Sequence, residues 1–352
     1  MGKVRIGFIG VGSMGQMAHL RNYATIPECE VVAIADLREK TGKLVAERYG
    51  VPHVYRDYVE MLDTERLDGV AVIQHFSQHA AMLPNVYRRA RNVLTEKPLA
   101  VSVSAGEGLV NAAREFGCRH MVAYHKRSDP ATMHAKAIVD RWRTSNEMGS
   151  LRYIRMFVTM PVGDWGCSGF VGMLNGGDPK PPLNAEPPMT DLAADAHKQY
   201  LNIVNNYVHQ INLMRFFLGE SYHVTYAEKT GVLMAVESRT GVPGVIELEP
   251  YRTTREWEET VLIAFANGYV RLRLPTPMAV NRAGEVEVFT DPGGDETPRR
   301  TVPSLPWVDA MRQQAINFVR VCKGEMAPPC DAAEGLDDLK VVRQYVDLWT
   351  RR

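Results

Sequence analysis

The chain has no apolar run of membrane length, no excess of either charge, no paired-cysteine motif, and no repeat or low-complexity tract. Each absence removes a class of function. Lys+Arg and Asp+Glu both number 41, so the formal net charge is zero. Without a basic stripe, neither nucleic acid nor an anionic membrane surface is an expected partner. No segment approaches the roughly 20 apolar residues that a spanning helix needs. The cysteines Cys29, Cys118, Cys167, Cys322 and Cys330 are scattered, and their odd number does not suit a disulfide framework. They read as reduced thiols of a cytosolic protein. No metal site is expected. The chain enters a strand at once, without a signal-type apolar region, so the expectation is a cytoplasmic protein.

The chain has 352 residues, 45% of them hydrophobic, enough for two cores. Residues 3–9 read as a buried strand, Gly10-Val11-Gly12-Ser13-Met14-Gly15 follows without a gap, and the pattern turns helical from Gln16. Gly-x-Gly-x-x-Gly between a strand and a helix is the setting of a dinucleotide pyrophosphate site. Gly10 permits the tight turn, Gly12 lets the backbone approach the phosphates, and Gly15 allows close helix packing. The amides of Gly12, Ser13, Met14 and Gly15 then face the anion. The competing reading is a Gly-rich turn with no ligand. A second apolar strand, 30–35, ends in Asp36, about 20 positions beyond Gly15, where a carboxylate takes the ribose hydroxyls and repels a 2′-phosphate. Arg38 is the alternative holder of such a phosphate; the reading favours NAD over NADP. Asp36 also suits a helix cap with Glu39.

Strand and helix alternate to about residue 125, with further strands at 68–73, 92–95 and 119–124 and crossovers near 39–50, 78–91 and 102–117. This predicts an α/β Rossmann domain over 1–125. A helix is predicted near 131–146. Period-two alternation at 151–159 and 222–290 predicts an α+β domain over 126–352 with a large, mostly antiparallel open sheet. Asn267-Gly268 reads there as a type I′ turn. One helix is expected at about 204–218. Two more, 308–323 and 331–350, are expected to pack back on the first domain. The Gly/Pro-rich stretch 160–190 reads as a functional loop or a partner-binding arm. Within it Asp164 and Trp165 are the candidate substrate-facing residues, with a subunit contact as the alternative for Trp165.

Lys97 follows the 92–95 strand, so it should point into the crevice at the strand ends, where an ammonium polarises a carbonyl or stabilises an alkoxide. A surface lysine before a turn is the plainer alternative. Asn205, His209 and Asn212 stand at i, i+4 and i+7 and should share one helix face. An imidazole between two amides reads either as a general base or as a satisfied core histidine.

The order of the glycine motif, the acidic residue, Glu96-Lys97-Pro98-Leu99-Ala100 and a helical histidine resembles the Gfo/Idh/MocA oxidoreductase family over nearly the whole chain. Tyr124-His125-Lys126-Arg127 through Pro130 is similar to that family's domain-crossing segment. The resemblance implies an NAD(P)-dependent dehydrogenase acting on a CH–OH group of a polyol, sugar, cyclitol or glycoside. It also implies a homo-oligomer, dimer or tetramer. Lys97 and His209 would act on the alcohol, helped by Asn205, while nicotinamide takes the hydride. Gln74, His79, Glu96 and Lys97 would join the cofactor contacts, and Tyr124, His125, Arg127 and Asn205 the substrate contacts. Two departures stand out. Asn205 and Asn212 replace the family's aspartates, and Gln74-His75-Phe76-Ser77-Gln78-His79 replaces a Thr-Pro segment. Two alternatives follow: tightly held NAD used for transient sugar oxidation, or a nucleotide-sensing regulator without catalysis. Retention of Lys97 and His209 argues against the regulator.

Overall fold

The computed structural model describes residues 2–162, 172–179, 182 and 184–351. The chain divides into two compact units, Met1–Tyr124 with Gly169–Leu192 and Met311–Leu339, and His125–Ser168 with Ala193–Ala310 and Lys340–Arg352.

In the first unit, β1 (Val4–Ile9), β2 (Cys29–Ala35), β3 (His53–Tyr55), β4 (Gly69–Val72), β5 (Asn92–Thr95) and β6 (Arg119–Val122) form one sheet. All its pairings are parallel, in the order β3-β2-β1-β4-β5-β6. β4 and β5 are buried at every position, as expected of strands with helices on both faces. The strand order reverses between β1 and β4, the switch point at which such sheets bind ligands beyond their carboxyl ends. Beneath it Tyr23 stacks edge-on against Phe8 at 5.3 Å and Phe318 at 6.3 Å. Phe318 comes from the Ala310–Cys322 helix, which therefore completes this core.

The second unit is built on β7 (Leu151–Thr159), β8 (Tyr222–Ala227), β9 (Leu233–Ser238), β10 (Pro243–Leu248), β11 (Glu258–Phe265), β12 (Gly268–Arg273), β13 (Glu285–Thr290) and β14 (Arg299–Thr301). Their order is β14-β13-β12-β11-β7-β10-β9-β8, antiparallel throughout except for the parallel pair β7–β10. β11 alternates strictly between buried and half-buried positions, the mark of a sheet covered on one face. Trp142 of the Pro130–Ser145 helix meets Phe265 edge-on at 5.2 Å. Asp129 caps that helix through the amide of Ala131 at 2.8 Å, and Asn146 ends it at φ 57°.

Two local expectations change. Phe265 pairs with Gly268, so the hairpin connection is Ala266-Asn267, and neither residue has the positive φ a type I′ turn requires. Gly268 answers to space instead: a Cβ there would lie 2.5 Å from the carbonyl oxygen of Phe289. The helix expected at 204–218 is the second half of a longer run. It consists of Ala194–Asn202, a π turn over Ile203–Tyr207, and then Val208–Leu218.

Two buried histidines give the first unit a pH dependence. His120 lies 2.8 Å from the Tyr87 hydroxyl and 2.9 Å from Thr95 Oγ1, and burial pushes its pKa down to about 3. Burial pushes His79 down to about 4, the Leu99 carbonyl opposing. Both bind a proton more readily in the unfolded chain. Their stabilisation is therefore complete above about pH 6.5 and is lost as pH falls towards 4, by roughly 3 kcal/mol each. Thermal melts across this range should show that loss. In His79→Asn, which gains no proton there, the slope should be visibly shallower; an identical slope would contradict the assignment.

Candidate active site

At the switch point the glycine loop is shaped by its neighbours. Gly10 has φ +91°, and a Cβ on it would sit 2.5 Å from Gln74 Nε2 and 2.6 Å from the Ile73 carbonyl oxygen. This brings Gln74, at the end of β4, against the loop. A Cβ on Gly15 would lie 2.8 Å from the Gly10 carbonyl oxygen, whereas one on Gly12 would meet only Arg38 Nη2, at 3.8 Å. The loop is thus closed beneath and open above Gly12, with Ser13 exposed and Met14 half-buried at the head of the following helix. Such a cradle fits a dinucleotide diphosphate. Asp36 is 6% exposed. Its Oδ2 accepts from Val11 N at 2.9 Å and Arg38 Nη2 at 2.8 Å, and its Oδ1 from Arg38 N at 2.9 Å and Nε at 3.0 Å. Two of these donors belong to the Arg38 side chain, so a ribose diol takes their place only when that side chain swings away.

The turn after β5 is held from both sides. Glu96 Oε1 lies 2.6 Å from His19 Nε2, and Oε2 accepts from the Lys97 amide at 3.2 Å. Burial pushes the Glu96 carboxyl up, but His19 and Lys97 outweigh it and leave it below the ordinary range. His79 Nδ1 donates to the Leu99 carbonyl at 2.9 Å. Lys97 stands half-buried between these clamps. His79, expected to touch the cofactor, has no exposed surface and serves as a post beneath the turn. It shares the buried face of the His79–Tyr87 helix with Leu83, Val86 and Tyr87. His19 was missed; its signal is its place one helical turn beyond Gly15.

From residue 172 on, the described part of the Gly/Pro-rich arm belongs to the first unit, and residues 160–162 to the second. The Gly172 carbonyl accepts from Arg48, and Leu174 exchanges two bonds with the Gln16 amide at 2.8 and 3.0 Å. Asp178 bonds the start of the Glu39–Tyr49 helix. Glu186 donates its amide to Ser77 O at 2.6 Å and bonds Val101 N, Ser102 N and Ser102 Oγ with its carboxylate. Arg48 is at the far end of the Glu39–Tyr49 helix, but the other partners come just after β1, β2, β4 and β5, so from Leu174 on the described part of the arm runs along the carboxyl edge of the sheet. Asp164 and Trp165 lie outside the described residues.

In the second unit the rings of His125 and His209 meet edge-on, with centroids 4.6 Å apart. The next residue in each case, Lys126 and Gln210, bonds the carboxylate of Glu259 on β11, Gln210 at 2.7 Å. Lys126 also sits over the Trp257 ring at 5.2 Å. Burial draws the Lys126 pKa down, Glu259 opposing. Arg127, expected in the pocket, is 3% exposed. Its Nε donates to Asn212 Oδ1 at 2.5 Å, and its guanidinium lies 4.8 Å from the Phe216 ring centre. It braces two helices. Asn205 departs from the shared face predicted for it. It is exposed, with its amide 3.4 Å from Asn206 Oδ1, while His209 and Asn212 are buried. The intervening π turn adds a residue that the α-helical spacing does not allow for. Tyr124, buried, is the last residue of the first unit's opening segment. Lys97 belongs to the first unit and His209 to the second. Among the described residues no three His, Cys, Asp or Glu side chains group as a metal site, and no helix is long and apolar enough to cross a membrane.

A family model described as an oxidoreductase family with an NAD-binding Rossmann fold matches residues 4–124. The myo-inositol 2-dehydrogenase of Thermotoga maritima is 20% identical over 94% of this chain and 92% of its own length. Among solved structures, an NAD binding oxidoreductase from Klebsiella pneumoniae aligns with a TM-score of 0.74 at 18% identity, covering 100% of this chain and 98% of that one. A 3-ketoreductase from Actinomadura kijaniata, solved with TDP-benzene and NADP, aligns with a TM-score of 0.67 at 19% identity over 97% and 96%. The solved structures share the fold and differ in cofactor, so cofactor choice turns on this chain's own residues.

The Lys126–Glu259 pair supplies a stability test. Breaking a buried pair by removing one partner costs about 3–5 kcal/mol, whereas replacing both by apolar residues is often nearly neutral. Denaturant unfolding should place Glu259→Gln in the first class and the double variant Lys126→Met, Glu259→Leu well above it. Equal losses would mean that packing, not charge, holds the site.

Proposed function

Through residues 4–124 the chain belongs to the Gfo/Idh/MocA family of oxidoreductases with an NAD-binding Rossmann fold, and from that premise we propose a dehydrogenase of secondary alcohols in sugars, cyclitols or their glycosides. The observation that carries the reading is the Lys97 turn. Its flanks are fixed by Glu96–His19 and by His79–Leu99, beside a glycine loop shaped for a diphosphate. A lysine with only a surface role has no need of two buried clamps. NAD, when bound, supplies the hydride acceptor. Lys97 binds the substrate hydroxyl and stabilises the charge that grows on its oxygen. His209, its ring set against His125, takes the hydroxyl proton as general base. In the reverse direction the same two residues return a proton to the carbonyl oxygen. Asp36 favours NAD by accepting the ribose hydroxyls once Arg38 withdraws.

A second reading concerns cofactor release. The arm along the carboxyl edge of the sheet supports slow exchange of NAD, and with it transient oxidation of a glycoside or redox exchange between sugars. Protein purified with NAD bound, and turning over without added cofactor, supports that reading; stoichiometric release of NADH on each turnover removes it.

The direct test is a panel of cyclitols, hexoses and glycosides with NAD, followed by absorbance of the reduced cofactor. On the best substrate, Lys97→Met and His209→Ala should each lower turnover by roughly 10²-fold or more. NAD affinity should hardly change in His209→Ala. Near-normal turnover in both variants would remove this site.

A further inference from the structure

The Glu39–Tyr49 helix begins immediately after the ribose-binding carboxylate of the dinucleotide motif. Its N-cap residue, Arg38, makes no side-chain capping bond. The cap comes from far along the chain. Asp178 Oδ1 accepts from Lys40 N at 3.1 Å, and Oδ2 from Thr41 N at 2.9 Å and Thr41 Oγ1 at 3.0 Å. The Gly176 amide donates to the same Thr41 hydroxyl at 3.0 Å, so the arm is seated at two points. Partial burial pushes the Asp178 carboxyl up, but the Thr41 and Lys40 amides draw it below the ordinary range, leaving it anionic at neutral pH.

Accommodating a 2′-phosphate beside Asp36 takes positive potential from this same loop, namely the Arg38 guanidinium and the first free amides of the helix. In this chain Arg38 is paired with Asp36 and leaves it when a nucleotide binds, whereas the Lys40 and Thr41 amides stay bonded to a carboxylate and cannot turn to a 2′-phosphate. We propose that Asp178 of the arm is a cofactor-selecting residue, a second negative charge that works with Asp36 to admit NAD and reject NADP. The proposal rests on the dinucleotide site of the functional reading above. It goes beyond that reading by assigning selectivity to a residue 138 positions from the helix it caps.

Calorimetric titration of NAD and NADP into the full chain, Asp178→Asn and Asp178→Ala, beside thermal melts, tests it. Asparagine keeps an acceptor for the helix and removes the charge. The ratio of NADP to NAD dissociation constants should narrow about tenfold in Asp178→Asn, mainly through tighter NADP binding, as expected when a neighbouring like charge near a protein surface is removed. The wild-type ratio should also narrow as salt is raised, a measurement that needs no variant. An unchanged ratio in both folded variants, or a parallel fall in both affinities, would overturn the proposal and leave Asp178 as a cap alone. Wild-type protein that binds neither nucleotide would overturn the functional reading, and the proposal with it. Nucleotide binding with a ratio indifferent to Asp178 would overturn only the proposal.

Discussion

A single buried carboxylate, that of Glu259, fixes the geometry of the second unit's histidine pair. It accepts from Lys126 and Gln210, the residues that follow His125 and His209, and so ties two helices to one strand of the sheet. In a low-dielectric interior the donors have no substitute in water, so the arrangement is costly to leave half-made. The first unit applies the same principle elsewhere. Glu96 joins His19 to the Lys97 turn, Asp36 joins the glycine loop to Arg38, and Glu186 joins the arm to the turn at Ser102. At each point a backbone segment with no regular hydrogen-bond ladder of its own is held by a carboxylate from elsewhere. This gives the loops at the strand ends the rigidity that chemistry on them requires.

The parallel sheet was legible because its strands are buried on both faces and read as continuous apolar runs bounded by turns. β3 and the Tyr58–Thr64 helix were not, since a strand of three partly exposed residues and a seven-residue helix with only Met61 and Leu62 buried carry too little pattern to be seen. The glycine loop, Asp36 and the Lys97 turn announce themselves through spacing along the chain. His79 and Arg127 are placed differently from expectation for a common reason. Each is polar and lies beside a motif, yet each is buried and spent on a partner that only tertiary structure supplies, Leu99 in one case and Asn212 in the other.

The π turn at Ile203–Tyr207 illustrates a further limit. Helical spacing in a sequence assumes 3.6 residues per turn, and one wider turn rotates everything before it out of register. Asn205 is thereby turned to solvent while Asn212 stays with its helix face in the interior. The neutral amide at 212 also acquires a reason here: its oxygen accepts from a buried guanidinium that packs on Phe216.

The helix that completes the first core has a consequence for how the chain is made. Phe318, Val319 and Val321 pack with Phe8, Tyr23 and Ile34, residues that leave the ribosome some three hundred positions earlier. Until the late helix emerges, the face of the early sheet that receives it is open and apolar. Vectorial synthesis therefore cannot finish this unit in order. The nascent strands must wait uncovered for nearly the whole of translation, an interval in which sticky intermediates look for other partners.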